Sequence, residues 1–173
     1  MLNEWGIAEE RRSVLVSDGA ANITLGSELA SLEHLHCTIH LLQLAVNDAV
    51  FKQDMVDTIV KKCWRIVAPL NKSTKATAIF KGYLEDVPEA NRLRLKRDVP
   101  TRWNSVLLML ERFKRLEKYV RQYLKESKLA IIIPTREWEM IEMIVKVLKP
   151  FYDLTVRLSS DLCSASCVIP EIL

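Results

Sequence analysis

The chain has 173 residues, the size of one ordinary domain or of part of a larger one. It is 49% hydrophobic and 27% charged with a net charge of +3, a balance that excludes a disordered or collagen-like chain. Four glycines argue against an all-β fold or a glycine-rich phosphate cradle. No apolar run is long enough for a membrane span, and the first residues lack the apolar core of a signal peptide. The four cysteines (Cys37, Cys63, Cys163 and Cys167) are too scattered for a disulfide scaffold and suit a reducing compartment.

Residues 13–17 read as one short buried strand, β-branched and apolar, closed by Asp18-Gly19. Residues 20–32 read as a helix with Gly26 as its weak spot, and residues 35–38 as a possible second strand. From His40 onward the apolar positions suit a helix. Between Asp54 and Pro69, Met55, Ile59, Cys63, Ile66 and Val67 recur at helical spacing, with Pro69 expected to end the helix. Ser73 is placed to cap a short helix running to about Tyr83, and residues 85–97 read as a loop.

Val106, Leu107, Leu110, Phe113, Leu116, Val120 and Leu124 form one stripe, which predicts a single helix over residues 103–125. A last long helix is expected over residues 135–159, with Trp138, Ile141, Val145, Leu148, Tyr152, Thr155 and Leu158 inward and a kink at Pro150. The chain therefore starts α/β and becomes all-helical. The expected class is mainly α (α+β), with a boundary near residue 50: a small mixed part over 1–50 and a helical part over 51–173.

Charge is unevenly distributed. Residues 92–125 hold eleven Lys/Arg and three acids, a local charge of +8 that leaves −5 for the rest. A basic segment on a slightly acidic body favours a phosphate backbone, although a solvated helix face has the same composition.

Three clusters could carry chemistry. Asp18 ends the first strand, where a carboxylate can help hold Mg²⁺ or Mn²⁺; two-metal phosphoryl chemistry needs several such acids together, and spacing alone favours Asp18-Gly19 as a turn with Asp18 capping the following helix. Cys37 and His40 make a Cys-x-x-His pair, half of a zinc site that Cys63 or Cys163-x-x-x-Cys167 would have to complete, or else a buried thiol and a histidine at a helix start. Arg102-Trp103-Asn104 open a helix: the guanidinium can pair with a phosphate while the indole stacks on an unpaired base, or the indole can head the core stripe.

Taken together and in order, these segments resemble the hAT family of DNA transposases and the host proteins derived from them, which often carry a BED-type zinc finger. Val16-Ser17-Asp18-Gly19-Ala20-Ala21-Asn22 resembles the family's strand-end Asp with Asn-Ala-x-Asn, with Gly19 where Asn is usual. Cys37-Thr38-Ile39-His40-Leu41-Leu42-Gln43-Leu44 resembles its Cys-x-x-His-x-Leu-Asn-Leu. Thr101-Arg102-Trp103-Asn104-Ser105, followed by Met109-Leu110-Glu111-Arg112, resembles Thr-Arg-Trp-Asn-Ser and Met-Leu-x-Arg. Trp138-Glu139 through Leu148-Lys149-Pro150-Phe151 resembles the Trp-Glu…Leu-Lys-Pro-Phe segment.

The resemblance implies part of an RNase H-like core interrupted by a helical insertion domain. It implies that Asp18 is the second of three metal-binding acids, the others lying outside this chain with the BED finger and the dimerisation segment. Trp103 would correspond to the tryptophan that stacks on a flipped base, with Arg102, Asn104, Cys37 and His40 contacting DNA or shaping the site. The expected setting is nuclear and DNA-bound, in a homo-oligomer, with no membrane. Either a domesticated regulator that does not cut DNA or part of an active Mg²⁺- or Mn²⁺-dependent cut-and-paste transposase fits; a helical protein-interaction module is the third alternative. No cofactor is expected within the chain itself.

Overall fold

A computed structural model describes residues 14–85, 87, 95, 103–127 and 129–160. Among these the protein is mainly α with a small β part. It divides into two compact units, one holding residues 14–45 with 158–160 and the other residues 46–157.

The first unit opens with β1 (Leu15–Ser17), followed by helix α1 (Ala21–Leu29) and β2 (His34–His36). The two strands pair in parallel, with Leu15 opposite His34, Val16 opposite Leu35 and Ser17 opposite His36. A parallel pair needs a crossover, and α1 supplies it. The strand at 13–17 was expected to be buried, but Val16 is 55% and its partner Leu35 46% exposed. Side chains alternate across a strand, so these register partners share one face, and that face is uncovered. The second strand lies at 34–36 rather than 35–38, which makes both His34 and His36 strand residues.

Helix α2 (Thr38–Val46) follows and passes into a π-helical turn at Asn47–Phe51. The Cys37 carbonyl accepts the Leu41 N–H at 3.0 Å, and the Cys37 N–H donates to the Ser17 carbonyl at 2.7 Å. One residue thereby closes the strand ladder and starts the helix.

The second unit is a helical cluster. Helix α3 (Asp54–Lys72) buries Val56, Ile59, Val60, Cys63, Ile66, Val67 and Leu70, the spacing of one apolar stripe. Pro69 lies inside its last turn instead of ending it. A proline there forfeits one intrahelical bond, while the Pro69 carbonyl still accepts the Ser73 N–H at 2.9 Å. Ser73 then caps α4 (Thr74–Gly82), its Oγ accepting the Ala76 N–H at 3.2 Å. Both α4 and α5 (Trp103–Arg115) pack on α3.

The helix expected over 103–125 is two helices, α5 and α6 (Glu117–Glu126), separated at Leu116, whose φ/ψ of −99°/16° leave the helical region. Leu116 is still buried, so the apolar stripe runs through the break and gives no sign of it. Glu117 begins the new helix, with its carboxylate held by Lys114 before the break and Arg121 after it. Helix α7 (Thr135–Leu158) buries Trp138, Ile141, Ile144, Leu148 and Thr155 and continues through Pro150. Phe113 and Trp138 stack with centroids 5.1 Å apart and planes 15° from parallel. The loop expected at 85–97 lies largely outside the described residues. No helix among the described residues is long and apolar enough to cross a membrane.

Candidate functional site

A cluster of polar side chains gathers at the carboxyl end of β1. Asp18 is exposed, and its Oδ1 accepts the Ala20 N–H at 3.2 Å. The position expected for its capping role is taken by Ala20, which has no side-chain acceptor; Asp18 stands two residues earlier and closes a tight Asx-type turn. Ser17 Oγ accepts the Gly19 N–H at 3.1 Å and hydrogen-bonds His34 Nε2 at 2.8 Å. The His34 and His36 rings meet edge-on with centroids 5.1 Å apart.

These two histidines escaped the motif reading. Their signal was the His-Leu-His alternation, which on a strand puts both rings on one face.

Cys37 and His40 are both half-buried around the start of α2. Cys63, considered as a third ligand, is fully buried in α3 of the other unit. Burial, and secondarily the nearby Glu137 carboxylate, push its thiol far above the usual range, so it is an inert core residue. Among the described residues no three His, Cys, Asp or Glu side chains converge to hold a metal ion. For the divalent cations that the resemblance implies, these residues offer Asp18 alone at the strand end, and one carboxylate does not make a two-metal centre.

Arg102 lies outside the described residues. Trp103 is 4% exposed and heads the buried stripe of α5 with Val106, Leu107 and Leu110. So placed, the indole is a core residue; a base could stack on it only if the start of α5 opened. Asn104 is half-buried, and its Oδ1 is buried without a partner.

Of the cations in the basic segment, six are described: Arg112, Lys114, Arg115, Lys118, Arg121 and Lys125. Lys114 is paired with Glu117 at 2.8 Å and with Glu142 of α7 at 3.3 Å. Arg121 is paired with Glu117 at 2.7 Å and lies over the Trp138 ring, 5.0 Å from its centroid. Burial pushes the Glu117 carboxyl up, but the hydrogen bonds from Lys114 and Arg121 outweigh it and hold the group below its ordinary range. Two of the cations are thus committed to holding helices together, and Arg115, Lys118 and Lys125 remain on the exposed surface.

With the geometry in place, comparison with known proteins fixes the relationship. Human zinc finger BED domain-containing protein 4 is 27% identical over 156 residues, 87% of this chain and 13% of that protein. A candidate transcriptional regulator, tpeD of Talaromyces stipitatus, is 26% identical over 87% of this chain and 22% of its own length. Mouse zinc finger BED domain-containing protein 6 is 23% identical over 92% of this chain and 16% of its own. The chain therefore spans less than a quarter of the length of each of these relatives. No solved structure matches. The family model for the ZBED1 RNase-like helical domain matches residues 35–147, more than half of the chain, running from β2 into α7. The chain belongs to this family of transposase-derived, BED-type proteins.

Proposed function

We propose that the chain is the RNase-like helical part of a domesticated, transposase-derived nuclear protein that binds DNA and regulates transcription without cutting it. The observation that carries this reading is the similarity to BED zinc-finger proteins and to a candidate transcriptional regulator, which extends over 87% or more of the chain. The exposed cations Arg115, Lys118 and Lys125 support an auxiliary phosphate contact. Sequence reading and homo-oligomer formation belong, on this view, to other parts of a longer protein.

The active-transposase reading is favoured by one observation, the placement of Asp18 at the carboxyl end of β1, and it requires two further acids and Mg²⁺ or Mn²⁺.

The test pairs fluorescence anisotropy on plain and hairpin-ended duplex with a nicking assay in Mg²⁺ or Mn²⁺, using the full-length protein. Salt-dependent binding weakened by Lys118→Ala/Lys125→Ala, with no nicking, is the expected result. Binding indifferent to salt rules out the phosphate contact. Metal-dependent nicking abolished by Asp18→Asn makes the protein an enzyme instead.

A further inference from the structure

We propose that the groove between α6 and the segment 129–134 is a docking site for an acidic, apolar segment of a partner protein. The groove has a volume of about 420 Å³, and both charged residues that line it, Arg121 and Lys125, are cations. Its apolar wall comes from Leu124, Ile131 and Ile133, with Trp138 at its base.

The segment 129–134 belongs to no helix or strand, yet its burial alternates. Ile131 and Ile133 are 8% and 7% exposed, whereas Ile132 between them is 80% exposed and also borders the groove. An isoleucine held in water beside an open apolar groove is a poor arrangement for an isolated surface and a good anchor for an interface. It sits on a defined backbone: the Ile132 carbonyl accepts from Lys62 Nζ at 3.5 Å, and Lys62 is itself ion-paired to Glu137.

The charges select the partner. Glu117 offsets part of the Arg121 charge, whereas Lys125 is exposed at the rim and Lys118 extends the same helix face two turns back. Acidic side chains on an arriving segment would meet these cations while its apolar side chains cover Ile132 and enter the groove. Nucleic acid fits less well. Phosphates gain nothing from an exposed isoleucine, and the aromatic ring of the groove, Trp138, is 1% exposed and cannot stack with a base. The site shares Lys118 and Lys125 with the phosphate contact proposed above but differs from it in its apolar half, so Ile132→Asp, which leaves both cations in place, tells the two apart.

The test is anisotropy of a fluorescein-labelled peptide in which Asp and Glu are interspersed with Leu and Phe. It is run against the whole chain and its Ile132→Asp and Lys125→Glu variants, with circular dichroism confirming that both variants fold as the parent does. Control peptides carry Ser at the apolar positions or Lys at the acidic ones. The acidic, apolar peptide alone should bind. Ile132→Asp should weaken it about tenfold or more, and Lys125→Glu about fivefold. Absence of binding, equal binding of the Ser-substituted peptide, or indifference to both variants overturns the proposal. Self-association of the chain that disappears in Ile132→Asp overturns it in favour of a second copy as the occupant.

Discussion

Gly19 and His36 are fitted to one another across the carboxyl end of the parallel strand pair: a β-carbon on Gly19 would lie 2.5 Å from His36 Nδ1. Gly19 also has φ of +82°, a backbone conformation that a side chain disfavours by about 1–2 kcal/mol. The glycine that departs from the family's usual asparagine thus has two separate reasons to be there. They differ in how easily they can be relieved. His36 is exposed, so its ring can swing aside, whereas the backbone of the turn is held by the Gly19 N–H donating to Ser17 Oγ. Gly19→Ala should therefore destabilise the strand end by about 1–2 kcal/mol, read as faster amide exchange at Ser17 and Cys37. The double variant Gly19→Ala/His36→Ala should keep most of that loss. Full recovery would show that the ring collision, not the backbone, is the constraint.

Tyr83 donates its hydroxyl to Glu126 Oε2 at 2.5 Å, linking the end of α4 to the end of α6. The hydrogen bond to the carboxylate pushes the Tyr83 phenol up to about 12, and the same bond holds Glu126 below its ordinary range. A phenol whose pKa is raised on folding contributes stability fully below its unfolded pKa of about 10, and that contribution is lost as pH rises through about 12. The carboxylate contribution has the opposite dependence, present above about pH 4.3 and lost as pH falls through the lowered value. Ultraviolet titration should accordingly show two tyrosines ionising late, Tyr83 through its bond to Glu126 and Tyr123 through burial, and Glu126→Gln should bring only Tyr83 back toward its ordinary value. Both tyrosines remaining late in Glu126→Gln would assign the Tyr83 shift to burial, as for Tyr123.

Lys62 and Glu137 join α3 to the first turn of α7 with Nζ and Oε1 2.5 Å apart, and both side chains are more than two-thirds buried. The other carboxylate oxygen, Oε2, is buried with no partner. The pair is therefore asymmetric. Removing the lysine strands a carboxylate that already lacks one hydrogen bond, whereas neutralising the glutamate leaves an amine that can reach solvent and still donate to the Ile132 carbonyl. Lys62→Met should cost about 1–3 kcal/mol in denaturant unfolding and Glu137→Gln clearly less. Equal losses would mean that attraction within the pair, not desolvation of the acid, sets its contribution.

The long helices were legible because burial of one face leaves a periodic trace. The stripes of α3, α5 and α7 are close to what spacing predicts, with Ile144 buried where Val145 was expected inward and Val145 half-buried. What spacing does not record is a break that keeps its apolar residue, as Leu116 does between α5 and α6. Nor does it record a proline tolerated in a last turn, as at Pro69, whereas Pro150 lies inside α7 as the spacing predicts. The strands were placed to within a residue or two. Their exposure was not, because it depends on which elements cover a sheet face rather than on the strand's own composition. Among the site residues, the commitment of Lys114 to Glu117 is visible at a spacing of three, whereas its pairing with Glu142 requires α7 to arrive from 28 residues away.

Trp103 is where fold and proposed function make opposing demands. A ring 4% exposed at the head of the α5 stripe contributes as a core residue, and Trp103→Ala should cost about 3–5 kcal/mol. Lost DNA binding in that variant would then say nothing about base stacking. Trp103→Leu separates the two roles, since it keeps an apolar side chain in the core and removes the aromatic face. If the residue serves the fold alone, Trp103→Leu should melt below the parent yet bind hairpin-ended and plain duplex in the parent's ratio, provided that binding is measured well below its melting temperature. A folded Trp103→Leu protein that selectively loses hairpin-ended DNA would show instead that the start of α5 opens to present the indole, and that the buried position is its resting state.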